Sequence, residues 1–102
     1  MDIVKNGEKE AMIIPKGRID MSNSHILKDK LLELYNDSYL FITIDFSDVA
    51  GIDSSGLGKL LLFQKKLKEK NGELKIINVS SEYIKKMFEM IHLNKVIHIE
   101  TL

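Results

Sequence analysis

Leu40-Phe41-Ile42-Thr43-Ile44-Asp45-Phe46, then a short loop, then Asp53-Ser54-Ser55-Gly56-Leu57 and a leucine-rich run to Leu67, read as a strand feeding a helix. In the strand, Ile42, Ile44 and Phe46 fall on one side and Phe41, Thr43 and Asp45 on the other, because side chains alternate. That pattern predicts a strand buried on one face and largely covered on the other. In the helix, Leu57, Leu60, Leu61 and Leu67 are expected to form the buried stripe. Lys65, Lys66, Lys68 and Lys70 enrich its last turns in cations, where the helix dipole favours them. Asn71-Gly72 stops it.

Working outward, the same alternation of types recurs. Upstream, Asp2–Lys5 and Lys9–Ile14 flank Asn6-Gly7, the strongest short hairpin signal, which predicts a type I′ turn. Pro15 lacks an N–H and marks a strand edge or end. Gly17-Arg18-Ile19-Asp20 follows, then Ser22, Asn23 and Ser24, each a good helix N-cap. Leu27, Leu31, Leu34 and Tyr35 carry a first helix that Asn36-Asp37-Ser38 ends. Downstream, Leu74–Val79 is a strand. Ser80-Ser81 caps a third helix bearing Tyr83, Ile84, Met87, Phe88 and Ile91, and Val96–Ile99 is a last short strand. The order β-β-α-β-α-β-α-β predicts an α/β fold, with strands in one mixed, mostly parallel layer and an antiparallel N-terminal hairpin at its edge.

Composition narrows the function classes. The 102 residues suit one domain, 1–102, with one core. With 44% hydrophobic and 29% charged residues the chain is ordinary globular protein, not a disordered one. Lys+Arg and Asp+Glu are 15 each, so no charge excess draws it to nucleic acid or an anionic bilayer. The start lacks the apolar core of a signal peptide and no run is long enough to span a membrane, so a cytoplasmic protein is expected. Without cysteine there is no disulfide, thiolate metal site or cysteine nucleophile.

In parallel sheets functional loops gather at the carboxyl ends of strands. One such loop carries Asp20 and the other carries Asp48, Asp53, Ser54 and Ser55. If their strands are neighbours, Asp20 and the Asp53-Ser54 step lie close in space. Two readings of the serine pair stand side by side. Either Ser54 or Ser55 merely caps free helix N–H groups, or a serine hydroxyl is exposed at a helix N-terminus that welcomes an anion. Gly56, poor for helix propensity, would let a partner approach closely. Serine catalysis needs a base within reach, yet His25, His92 and His98 lie elsewhere in sequence and no G-x-S-x-G elbow is present. The histidines lack metal-ligand spacing, and Asp45, Asp48 and Asp53 read equally well as turn formers. Gly56-Leu57-Gly58-Lys59 is not a nucleotide-binding loop, and no cofactor is implied.

The stretch Asp45–Leu57, with its Asp53-Ser54-Ser55-Gly56 core, resembles the signature of the STAS domain, and more narrowly that of bacterial anti-sigma factor antagonists. Gly17-Arg18-Ile19-Asp20, Leu74–Val79 and Met87–Val96 are similar to that family too, so the resemblance spans nearly the whole chain. It implies a binding module with no enzymatic activity of its own. Ser54 would be phosphorylated by a partner that is both anti-sigma factor and serine kinase. The unmodified form would bind that partner and release sigma factor, and a metal-dependent serine phosphatase would restore it. Asp20 would lie near the phosphosite, with Asp53, Ser55 and Gly56 as neighbours that meet the partner.

Two departures from the family accompany the resemblance. Members usually continue past the last strand into a final helix, where this sequence reads Glu100-Thr101-Leu102. Many have glycine in place of His92, a change that a helix end tolerates. An alternative keeps the fold without the switch: a scaffold, or a subunit of a lipid-transport or stress-sensing assembly. A small hydrolase using Ser54 is a third possibility.

Overall fold

The computed structural model describes residues 1–100. The chain runs β1 (Asp2–Lys5), β2 (Glu10–Ile14), β3 (Gly17–Ile19), α1 (Ser24–Asn36), β4 (Phe41–Asp45), β5 (Val49–Ile52), α2 (Ser54–Glu69), β6 (Glu73–Ile77), α3 (Glu82–Met90), a 3-10 turn over Leu93–Lys95, and β7 (His98–Ile99). The end of the expected domain, at Thr101-Leu102, lies outside the described residues.

Five strands form one sheet in the order β1-β2-β4-β6-β7, antiparallel only between β1 and β2. Ala11, Ile13, Ile42, Ile44, Leu74 and Ile76 point to one face and join α1, α2 and α3 in a single core. Each such side chain contributes about 1.5–3 kcal/mol by leaving water. Phe46 and Phe88 meet in that core with ring centroids 5.8 Å apart.

The sheet is not the whole story. Gly17–Ile19 and Val49–Ile52, expected as loops, pair with each other as a separate two-stranded parallel sheet. Segments of three and four residues are too short for a periodic signal, and only their mutual pairing makes them strands. The expected single layer of strands is therefore corrected to a main sheet and a satellite pair.

Other details depart from expectation for local reasons. The hairpin is not a two-residue type I′ turn: neither Asn6 nor Gly7 has a positive φ, and the loop closes through the Asn6 amide donating to the Glu10 carbonyl at 3.1 Å. The second face of β4 is not covered. Phe41 is exposed, and Thr43 and Asp45 are half-buried on a sheet face that packs no core.

The α2 stripe is rotated from the one expected. Gly56, Leu60, Phe63, Gln64 and Leu67 are buried, Leu57 is half-buried, and Leu61 faces solvent. Gln64 earns a buried position by bonding at both ends of its amide. Its Nε2 donates to the Val96 carbonyl and its Oε1 accepts from the Leu74 amide, each at 2.9 Å. On α3 only Ile84 and Phe88 are fully buried, while Tyr83 and Ile91 are exposed. The last strand shortens to His98–Ile99 behind the 3-10 turn.

Candidate functional site

The satellite pair carries two loops to the same place. Where β3 ends, Ile19 offers its carbonyl to the Asp53 amide at 3.0 Å. The Met21 amide in turn donates to Asp53 Oδ2 at 3.1 Å. The loop after Gly17-Arg18-Ile19 and the start of α2 are thus joined by two hydrogen bonds, as the expected adjacency of Asp20 and Asp53-Ser54 requires.

Asp53, not a serine, is the N-cap of α2. Its backbone is extended, and Oδ1 accepts from the Ser55 amide at 2.9 Å and the Gly56 amide at 3.2 Å. Those amides are among the first-turn donors that a helix leaves without partners. The reading in which Ser54 or Ser55 supplies the cap is therefore overturned.

The two hydroxyls differ sharply. Ser55 is half-buried, and its Oγ donates to Asp53 Oδ1 at 2.6 Å. Ser54, the first residue of the helix, is exposed, and among the described residues its hydroxyl has no hydrogen-bond partner. One serine is locked into the cap; the other is free.

Gly56 serves a different purpose from the one its sequence position suggested. It is buried, and a Cβ placed on it would stand 2.8 Å from both Ile19 Cγ2 and Ile52 Cγ1. The missing side chain lets α2 sit against the satellite pair instead of leaving room for a partner.

The Asp20 carboxylate faces its own loop. Oδ1 accepts from the Ser22 amide and hydroxyl, and Oδ2 lies 3.8 Å from Arg18 Nε. Contact with Asp53 is made by the backbone on either side of Asp20. Sequence reading gave Asn23 the wrong task and missed Met21. Asn23 occupies the N-cap position of α1 without capping it: its Oδ1 accepts from the Asp20 amide at 2.8 Å and its Nδ2 donates to the Arg18 carbonyl at 2.7 Å. Met21, 80% exposed, supplies a backbone donor, which leaves no mark in a sequence.

The electrostatics follow from these bonds. The Ser55 hydroxyl, more than any other group, holds the Asp53 carboxyl below the usual carboxylate range. Burial opposes it, and the Gly56, Met21 and Ser55 amides help. At Asp45 burial pushes upward, but the Ser47 backbone and side chain and the Asn78 amide together bring the carboxyl lower. Asp45 and Asp53 thus serve separate turns, and among the described residues no group of three His, Asp or Glu side chains converges as a metal site would. His25, His92 and His98 are all exposed, and none bonds to Ser54. No helix among the described residues is long and apolar enough to cross a membrane.

Comparison with known proteins bears on the family and the fold. The STAS domain family model matches residues 2–101. The anti-sigma-B factor antagonist of Bacillus subtilis (strain 168) is 31% identical over 96 residues, covering 94% of this chain and 86% of that protein. Among solved structures, an anti-sigma factor antagonist from Mycobacterium paratuberculosis superposes with a TM-score of 0.77 at 20% identity, over 99% of this chain and 87% of the other. The Bacillus cell fate determinant SpoIIAA in its phosphorylated form gives 0.76 at 20% identity, over 98% and 90%. At those identities the two structures speak to the fold alone.

Proposed function

We propose, given that this chain belongs to the STAS domain family, that it is an anti-sigma factor antagonist switched off by phosphorylation of Ser54. It works in the cytoplasm as one domain over 1–102, and is a binding protein rather than an enzyme. Unmodified, it binds an anti-sigma factor that is also a serine kinase, and so frees sigma factor. That kinase moves the γ-phosphoryl group of ATP to Ser54 Oγ, giving ADP and releasing the hydroxyl proton. A metal-dependent serine phosphatase reverses the step. Neither nucleic acid contact nor membrane insertion enters the cycle.

The observation that carries this reading is the contrast between the two serines. Ser54 Oγ is exposed and free at the start of α2, whereas Ser55 Oγ is held by Asp53. Asp53 and Ser55 fix the cap, Gly56 seats the helix from behind, and the Asp20 loop forms the rim that a partner meets.

A phosphate there acts through the interface. It adds about −1.5 to −2 charges at neutral pH. The helix N-terminus favours an anion by about 0.3–1 kcal/mol, and the Asp20 and Asp53 carboxylates oppose it through water. These effects offset one another, so the fold survives. Against a bound partner the same phosphate must lose its water, and an unpaired buried charge costs several kcal/mol. Since each ~1.4 kcal/mol is tenfold in affinity, a loss of about 100-fold or more follows without refolding.

The test is to incubate the protein with its cognate kinase and ATP, locate the phosphate by mass spectrometry, and measure binding before and after. The expected result is one phosphate on Ser54, weakened binding, and a Ser54→Ala variant that binds but stays unmodified. Ser54→Asp should bind weakly. A phosphate elsewhere, or equal binding in both states, overturns the reading. Capture of a transporter component in place of a kinase would favour the scaffold alternative.

A further inference from the structure

Four of the six glycines have visible reasons, and Gly7 lies in the loop between β1 and β2, where its nearest neighbour is the movable end of the Glu10 side chain. Gly17 has a φ of +75°, Gly51 lies under the Arg18 guanidinium, Gly56 packs on Ile19 and Ile52, and Gly72 abuts the Leu40 carbonyl. Gly58 lies inside α2, has no positive φ, and a Cβ on it would meet nothing within 4 Å. Glycine is among the poorest residues in a helix interior. Nothing in the fold asks for it there.

Its position suggests what does. Ser54, Gly58, Leu61, Leu62 and Lys65 are all exposed and recur at the three- and four-residue steps that place side chains on one helix face. Leu61 and Leu62 are 41% and 43% exposed, an apolar ledge on a helix whose buried stripe lies elsewhere. Lys65 and Lys68 follow on the exposed side. Read from the free hydroxyl, this face presents a gap, an apolar ledge and then charges, Lys65 and Lys68 with the exposed Glu69 beside them, which leaves it net positive. Gly58 sits four residues, about 6 Å along the helix axis, beyond Ser54. Any protein that draws the Ser54 hydroxyl into an active site must bring its own surface down on that turn.

We propose that Gly58 is a specificity-determining position: its missing side chain admits the surface of the serine kinase that modifies Ser54. That surface is apolar opposite Leu61 and Leu62 and carries carboxylates opposite Lys65 and Lys68. The inference rests on the reading of Ser54 given above and adds to it a contact outside the cap. A methyl group at position 58 intrudes where the two proteins come closest, and a leucine blocks the approach.

The experiment compares the wild-type chain with Gly58→Ala and Gly58→Leu, using the purified kinase that phosphorylates wild-type Ser54. Gly58→Ala should raise the urea midpoint, since alanine favours the helix and touches nothing. It should nevertheless bind about tenfold more weakly and be phosphorylated more slowly, and Gly58→Leu should lose about 100-fold or more. A lower midpoint for Gly58→Ala would show that the fold itself needs glycine and would overturn the inference. So would unchanged binding and phosphorylation of both variants, while leaving the role of Ser54 intact. Failure of any serine kinase to modify wild-type Ser54 would remove both readings together.

Discussion

The Met21 amide donates a 3.1 Å hydrogen bond to Asp53 Oδ2 across a sequence separation of 32 residues. The other carboxylate oxygen of Asp53 holds the first turn of α2 and the Ser55 hydroxyl. One side chain therefore caps a helix, fastens a distant loop to it and leaves Ser54 as the free hydroxyl of the pair. A charge added at Ser54 arises beside all three contacts.

Asp53 ties this site to pH. Its folded-state carboxyl titrates below the ordinary aspartate range, so its contribution to stability is complete above that range and is lost as pH falls through the lowered one. The urea midpoint should be flat above about pH 5 and fall in more acid solution. Asp53→Asn should flatten that acid limb in part, because Asp45 titrates in the same direction. Asp53→Ala should also lower the midpoint at neutral pH, where the Ser55 and Gly56 amides lose their acceptor. An unchanged acid limb in Asp53→Asn would contradict this account.

Gly56→Ala should destabilise the protein. The added methyl would meet Ile19 and Ile52 at 2.8 Å, well inside contact distance. Overpacking of this kind costs about 1–3 kcal/mol, against a helix-propensity gain of up to about 1 kcal/mol. The expected net loss is about 1–2 kcal/mol by urea unfolding. Gly58→Ala, two residues along the same helix, should move in the opposite direction.

His92→Gly should stabilise. His92 has a φ of 55° where α3 gives way to the 3-10 turn, a left-handed conformation. That region costs an L-residue roughly 1–2 kcal/mol, and the entropy glycine loses on folding takes back part of the relief. A gain of about 0.5–1 kcal/mol is expected in thermal or urea unfolding. The glycine expected here from the family resemblance has its physical reason in this backbone angle.

Gln64→Leu should be costly although leucine is the more apolar residue. The Leu74 amide and the Val96 carbonyl would each lose a 2.9 Å partner. Leaving a buried donor unsatisfied costs about 1–3 kcal/mol, measurable as a lower urea midpoint. A midpoint equal to wild type would mean that water replaces the amide.

By itself the sequence determined what local chemistry determines. Strand alternation in Ile42-Thr43-Ile44, the stop at Asn71-Gly72 and the Ser81 cap each act over a few residues, so the order of the main elements was legible. The Asp-Ser-Ser-Gly stretch also marked the helix start beside which the candidate site lies. Only the tertiary structure decided which residue caps α2, which serine is free, which way α2 turns its stripe, and that Gly17–Ile19 and Val49–Ile52 pair. The stripe and the pairing depend on partners distant in sequence, Ile19 for Gly56 and Leu74 and Val96 for Gln64, whereas the cap and the free serine rest on contacts within three residues that Asp53, Ser54 and Ser55, all good cap residues, left unranked in the sequence. A hydrogen bond between distant backbone groups, or the rotation of a helix by a residue's width, is selected by packing and leaves no periodicity to read.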